Sequence, residues 1–151
     1  MSWDKELEEL RHREGLAEQM GGGEKVARQH SRGKMDARAR LAALVDPGSF
    51  REIGKIAGKA SYDQDGNLEH ILPAPFLFGK AEINGRPVVA TADDFTIRGG
   101  AADAGISRKM VQAEKMAHEL KLPIVRMIDG TGGGGSVKTL EQIGATYIPA
   151  V

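Results

Sequence analysis

Two glycine-rich stretches hold the residues whose types and spacing could do chemistry. The first is Pro123-Ile124-Val125-Arg126-Met127-Ile128-Asp129-Gly130-Thr131-Gly132-Gly133-Gly134-Gly135-Ser136, a short apolar segment followed by an acid and then glycines. It predicts a buried strand over 123–128 that stops in a glycine turn, with a helix over 137–143 behind it. Such a turn points backbone N–H groups at whatever lies above the strand end, and the helix dipole adds positive potential. The arrangement suits an anion, either a phosphate or the oxyanion of an enolate or tetrahedral intermediate. The second stretch is Arg98-Gly99-Gly100-Ala101. A glycine pair there permits close backbone approach to a ligand, or simply a turn into the next helix. Arg98 beside it suits a phosphate or an exposed ion pair.

Several familiar chemistries do not fit. A P-loop needs a lysine directly after its last glycine, whereas Ser136 and Val137 precede Lys138. A dinucleotide fingerprint needs an acid about 20 residues beyond the glycines, and none stands there. His12, His30, His70 and His118 are widely spaced and the chain has no cysteine, so no metal site is expected. Asp93, Asp94 and Asp129 are the acids near the glycines, and an acid at a strand end caps a turn more often than it catalyses. No Ser–His–acid set stands out.

Composition narrows the class further. A chain of 151 residues has room for one domain with a real core. Its 21 basic and 21 acidic side chains cancel, so charge gives no reason to expect nucleic acid or an anionic membrane as partner. No apolar stretch approaches the roughly 18–20 residues that span a bilayer. The start, Met1-Ser2-Trp3-Asp4-Lys5-Glu6, is acidic and polar, unlike a targeting leader. The expected location is the cytoplasm.

The elements that must position the glycines divide into two halves. Residues 1–48 read as a helical segment: Trp3, Leu7, Leu10 and Leu16 give an apolar stripe, Gly21-Gly22-Gly23 ends it, and a short helix over 24–30 follows. Asp36 is the expected N-cap of a third helix carrying Leu41, Leu44 and Val45. Residues 49–151 read as mixed α/β. Strands are expected over 50–56, 76–83 and 88–92, the last two joined at Asn84-Gly85, and 60–70 is expected as a loop. A helix over 105–120 puts Ile106, Met110, Ala113, Met116 and Ala117 on one face. The pattern then reads as the beginning of something longer.

A resemblance is carried by Gly23-Glu24-Lys25-Val26-Ala27-Arg28-Gln29-His30-Ser31-Arg32-Gly33-Lys34-Met35-Asp36-Ala37-Arg38-Ala39-Arg40-Leu41, and then by Leu44-Val45-Asp46-Pro47-Gly48-Ser49-Phe50-Arg51-Glu52. These residues resemble the opening of the carboxyltransferase (β) subunits of biotin-dependent acyl-CoA carboxylases of the propionyl-CoA and methylcrotonyl-CoA type. Gly79, Ile83-Asn84-Gly85-Arg86, Asp94-Phe95-Thr96, Gly99-Gly100 and Lys109 follow in the family's order. The resemblance implies a crotonase-like spiral of ββα units. It makes 1–48 an N-terminal helical segment and 49–151 the start of an acyl-CoA-binding domain.

The resemblance also implies a reaction: transfer of CO₂ from carboxybiotin to the α-carbon of an acyl-CoA through an enolate. Where the family continues from its Asp with Ser-Gly-Gly-Ala, this chain has Gly130-Thr131-Gly132-Gly133-Gly134. Gly132 and Gly133 are matched to the family's oxyanion-hole pair, with Gly134 as the alternative. Arg98, Gly99, Gly100, Ala101 and Asp129 are the expected substrate-binding residues. Implied partners are acyl-CoA, a biotin carboxyl carrier or biotin carboxylase subunit bearing the biotin, and further copies of the chain. The chain alone is expected to be inactive. The alternatives are a biotin-dependent decarboxylase subunit and a non-catalytic module that assembles with a full-length partner.

Overall fold

The computed structural model describes residues 2–100 and 107–130. Three helices come first: α1 (Asp4–Glu18), α2 (Gly23–Ser31) and α3 (Ala37–Leu44). They fall between the expected glycine breaks. Asp36 caps α3, its Oδ1 accepting the Ala39 N–H at 2.9 Å, which satisfies one of the donors a helix start leaves open. The joint between α1 and α2 is set by Gly21. Its N–H donates to Thr96 Oγ1 at 3.0 Å. A Cβ on Gly21 would stand 2.2 Å from the Thr96 carbonyl oxygen, so only glycine lets the helices dock on the loop at residue 96. The expected stripe on α1 does not pack: Trp3, Leu7 and Leu10 are 67%, 45% and 41% exposed, and the helix is anchored by Ala17 and Met20 at its end.

The strands are β1 (Arg51–Glu52), β2 (Gly58–Tyr62), β3 (Leu68–Pro73), β4 (Phe76–Ile83), β5 (Arg86–Asp93) and β6 (Ile124–Met127), with α4 (Ser107–Leu120) between the last two. The order in the main sheet is β1-β4-β5-β6; β5 and β6 run parallel and the other pairs antiparallel. Asn84 and Gly85 both take positive φ, 51° and 71°, as the two-residue turn joining β4 to β5 requires.

Three expectations are corrected. The polar stretch 60–70 is not a loop but belongs to the hairpin β2–β3. All five residues of β2 are exposed, so no buried face imposed an apolar alternation that could be read. Asp63 closes that hairpin by accepting the N–H groups of Asp65 and Asn67 at 2.9 and 2.8 Å. Within 50–56 the strand is only the two residues of β1, followed by one further bond from the Ile53 N–H to the Phe78 carbonyl at 2.9 Å. The segment before Asp129 is a strand but not a buried one: Ile124, Val125 and Met127 are half-buried and Ile128 is 74% exposed. Among the described residues β6 is the outer strand, and the two layers on either side of the sheet cover it only in part.

Those layers follow from the strand period of two. Leu77 and Ala81 of β4 with Val88, Ala90 and Ala92 of β5 face α3, which contributes Ala37, Leu41 and Val45. Phe76, Phe78 and Val89 face α4, meeting Ala113 and Ala117. Met110 and Met116 flank that second cluster as expected, while Gly105 and Ile106 lie outside the described residues. A polar bridge joins the two helices at the sheet edge. Arg38 of α3 donates to Glu52 Oε2 at 2.9 Å, and the Lys109 ammonium of α4 lies 4.0 Å from Glu52 Oε1. Lys109 is 8% exposed, and burial, opposed by Glu52, pulls its ammonium down to about 8.

Two predictions follow from this packing. Gly21→Ala should lower stability by about 3 kcal/mol, because a backbone oxygen cannot step aside. In the same denaturant titrations Gly15→Ala, on an open helix surface with no atom within 4 Å of its Cβ, should raise stability by about 0.5–1 kcal/mol. Equal effects would mean that the Thr96 contact does not set the joint. For Lys109 the folded chain releases its proton at about 8 and the unfolded chain at 10.5. Between those values the unfolded state binds more protons, so stability should climb with pH by up to roughly 3 kcal/mol. Lys109→Met should flatten that climb, as read from melts across the window.

Candidate functional site

The two glycine stretches converge at the C-terminal ends of the parallel strands β5 and β6. The chain leaves β5 through Asp93 and Asp94 and reaches a 3-10 turn at Arg98–Gly100. It leaves β6 through Ile128 and Asp129. Gly100 has φ +69°, and a Cβ on it would stand 2.3 Å from the Asp129 carbonyl oxygen. Glycine is therefore required on two counts, backbone angle and space. A Cβ on Gly130 would in turn lie 3.6 Å from the Gly100 carbonyl oxygen. Of the expected site residues, Arg98, Gly99, Gly100 and Asp129 thus come from two loops that meet at the 100/129 contact. Ala101, Gly132, Gly133, Gly134 and the helix expected over 137–143 lie outside the described residues.

Asp129 does not merely cap a local turn. Its carboxylate gathers three side chains from the N-terminal helical segment. Gln29 Nε2 donates to Oδ2 at 3.2 Å, Lys34 Nζ lies 3.4 Å from Oδ1, and Arg40 Nη2 lies 3.7 Å from Oδ2. The Lys34 ammonium also sits 5.2 Å from the centre of the Phe95 ring. Asp93 receives the Asp129 N–H on its Oδ2 at 3.2 Å, and its carbonyl accepts a bond from Arg40. Burial pushes the Asp93 carboxyl above the usual range, against the pull of the Asp129 N–H, Arg126 and Arg40.

Asp94 has a different task. It is 1% exposed, and its Oδ1 accepts both the Thr96 hydroxyl at 2.6 Å and the Thr96 N–H at 2.9 Å. Thr96 Oγ1 in turn accepts the Gly21 N–H. Burial raises the Asp94 carboxyl, and its second oxygen has no hydrogen-bond partner. The acid fixes the loop and the helix joint rather than facing a ligand.

Sequence reading missed a set of cations. Lys25, Arg28 and Arg32 line a polar cavity of about 340 Å³ together with Gln29, Phe95 and Gly99. Their signal was present: positions 25, 28 and 32 repeat at three and four residues, which is one face of a helix. Among the described residues no acid pairs with these three cations. A cavity of about 370 Å³ between α3 and β1 is instead lined by Leu41, Ala42, Val45 and Phe50 and holds none of the candidate residues. An unpaired cationic wall beside a glycine loop and an aromatic ring suits a phosphate-bearing ligand with a planar base.

No group of three or more His, Cys, Asp or Glu side chains among the described residues is arranged to hold a metal ion. No described helix is long and apolar enough to cross a membrane.

With this geometry in place, comparison with known proteins is specific. The model of the carboxyl transferase domain family matches residues 28–148. The carboxyltransferase subunit of propionyl-CoA carboxylase from Haloferax mediterranei is 32% identical over 133 residues, covering 87% of this chain and 26% of that protein. The methylmalonyl-CoA carboxyltransferase 12S subunit from Propionibacterium freudenreichii subsp. shermanii is 36% identical over 127 residues, covering 83% of this chain and 24% of that one. A crystal structure of transcarboxylase 12S, a hexamer with methylmalonyl-CoA bound, superposes with a TM-score of 0.74 at 32% identity, over 87% of this chain and 26% of its own. The chain therefore spans about a quarter of the length of the relatives it matches. The crotonase-like α/β fold expected from the resemblance is borne out. The match runs from the cationic helix through the sheet and the Gly100–Asp129 contact, and the chain belongs to the carboxyl transferase domain family.

Proposed function

We propose that this chain supplies part of the acyl-CoA side of a biotin-dependent carboxyltransferase, which moves CO₂ from carboxybiotin to the α-carbon of an acyl-CoA through an enolate. The observation that carries this reading is the cationic cavity of Lys25, Arg28 and Arg32, which shares Gly99 with the loop that meets Asp129. The cavity suits the phosphates of CoA, and the junction beyond it suits the thioester.

In this reading Asp129 delivers the chain into the glycine run. The N–H groups of Gly132 and Gly133, with Gly134 as the alternative, are the donors for the enolate oxygen. Arg98 and the backbone of Gly99, Gly100 and Ala101 border the substrate. Carboxybiotin, presented by a carrier domain, would supply the carboxyl group and the base for the α-proton. A biotin carboxyl carrier or biotin carboxylase subunit and further copies of the chain complete the assembly, in the cytoplasm. The exposed stripe of Trp3, Leu7 and Leu10 supports an assembling protein, since apolar surface of this kind favours a partner.

Two experiments test the reading. Calorimetric titration of the chain with acyl-CoA should show binding that weakens with salt. Arg28→Ala and Arg32→Ala should each lower affinity about tenfold, the loss expected of a charge-assisted phosphate contact. Unchanged affinity in both variants would remove the cavity from the function. Separately, Gly133→Val in a polypeptide carrying the full length of the relatives should lower kcat by a factor of about 10²–10³ or more, with acyl-CoA affinity kept. A near-normal kcat would move the donor role to Gly134 and Gly135.

A further inference from the structure

We propose that Asp93 is a positioning residue: its carboxylate extends the β5–β6 pairing beyond the last backbone rung and fixes the main chain of Asp129 against the loop at Gly100. This rests on the carboxyltransferase reading, in which Asp129 immediately precedes the residues matched to the donors of the enolate oxygen.

The parallel ladder ends at the Ala92–Met127 rung. Past it the strands would be free to splay. Instead the Asp93 side chain takes the place of a carbonyl, its Oδ2 accepting the Asp129 N–H at 3.2 Å. Arg40 closes the same gap from α3: its Nη2 donates to the Asp93 carbonyl and lies 3.7 Å from Asp129 Oδ2. The side chain of one strand end thus holds the main chain of the other, while one guanidinium holds the reverse pair. The fixing has a consequence at the second loop. Gly100 lies so close to the Asp129 carbonyl that a Cβ would sit 2.3 Å from it, so Asp129 cannot shift toward that loop without displacing Gly100. A site of this kind tolerates displacement of about 0.5 Å.

The anchor is also sensitive to protons. The charged groups acting on Asp93 are Arg40 from α3, Arg126 on β6 and Asp129 beyond β6. Burial opposes the carboxylate and prevails; the bond from the Asp129 N–H and the two arginines favour it, while the Asp129 charge adds to the opposition. The acceptor therefore weakens at a higher pH than an ordinary aspartate would allow.

The test uses the whole chain, labelled with ¹⁵N, and the Asp129 amide resonance. In the native sequence that amide should shift with pH, with a midpoint above the ordinary aspartate value of about 3.9. Asp93→Asn keeps an acceptor oxygen, so it should remove the component of the shift that has the raised midpoint, leaving only what the amide senses of its own side chain, and retain protection from hydrogen exchange. Asp93→Ala should remove the same component and speed exchange at residues 128–130 about tenfold or more, while amides of β4 and the middle of β5 keep native rates. A flat Asp129 resonance in the native chain, or native exchange in Asp93→Ala, overturns the proposal. Neither arm involves substrate. A chain that titrates as stated yet fails to bind acyl-CoA upholds the anchor and overturns the functional reading alone.

Discussion

The Asp129 carboxylate is the point on which the site hangs. It stands at the end of the outermost described strand, and Gln29, Lys34 and Arg40 all reach it from the helical segment roughly a hundred residues earlier in the chain. A half-buried carboxylate needs donors to offset its lost hydration, and donors on three separate turns of chain bring those turns with them. One acid thereby fixes α2, the loop after it and α3 against the strand ends. The cationic face of α2 then stands beside Gly99, with Lys25, Arg28 and Arg32 exposed to solvent.

The sheet makes this possible by keeping its α3 face shallow. Ala81, Ala90 and Ala92 present small side chains there, and Leu41 and Val45 of the helix fill the space above them. The helix lies close enough for Arg40 to reach the strand ends. The α4 face is deeper, with Phe76 and Phe78 against Ala113 and Ala117. Small against large on one side and large against small on the other gives dense packing without altering the strand period. Both loops of interest lie at the carboxyl ends of the parallel pair, the place where open α/β sheets collect their ligands. Glu52, gripped by Arg38 and approached by Lys109, ties the two layers at the opposite edge.

Much of the frame was legible in the sequence because it depends on local rules. Asp36 caps a helix wherever it precedes one, Asn84-Gly85 closes a hairpin by its own backbone preferences, and the apolar run that opens 76–83 marks a strand with two covered faces. The family pattern from residue 23 to residue 52 pointed to the family and the fold class in one step, and the comparisons agree on both. Legibility failed where burial was absent. The hairpin β2–β3 has no fully covered face, so its polar residues carried no period. The run before Asp129 is apolar as a buried strand would be, yet it stands at the outer edge, where composition does not report cover.

The sequence by itself thus determined the elements that pack a covered face, their order, the family and the two glycine stretches as places where a backbone can approach a ligand. Tertiary structure decided which residues share a site. No spacing rule connects Gly100 to Asp129, or Arg40 to Asp93, because those contacts run across a strand–helix–strand crossover and between the two halves of the chain. It also decided the roles of three similar acids. Asp93 holds a backbone N–H, Asp94 is shut in with Thr96, and Asp129 gathers the cations. The three differ in how much water each has lost and which donors replace it, and both are fixed by the packing of distant segments.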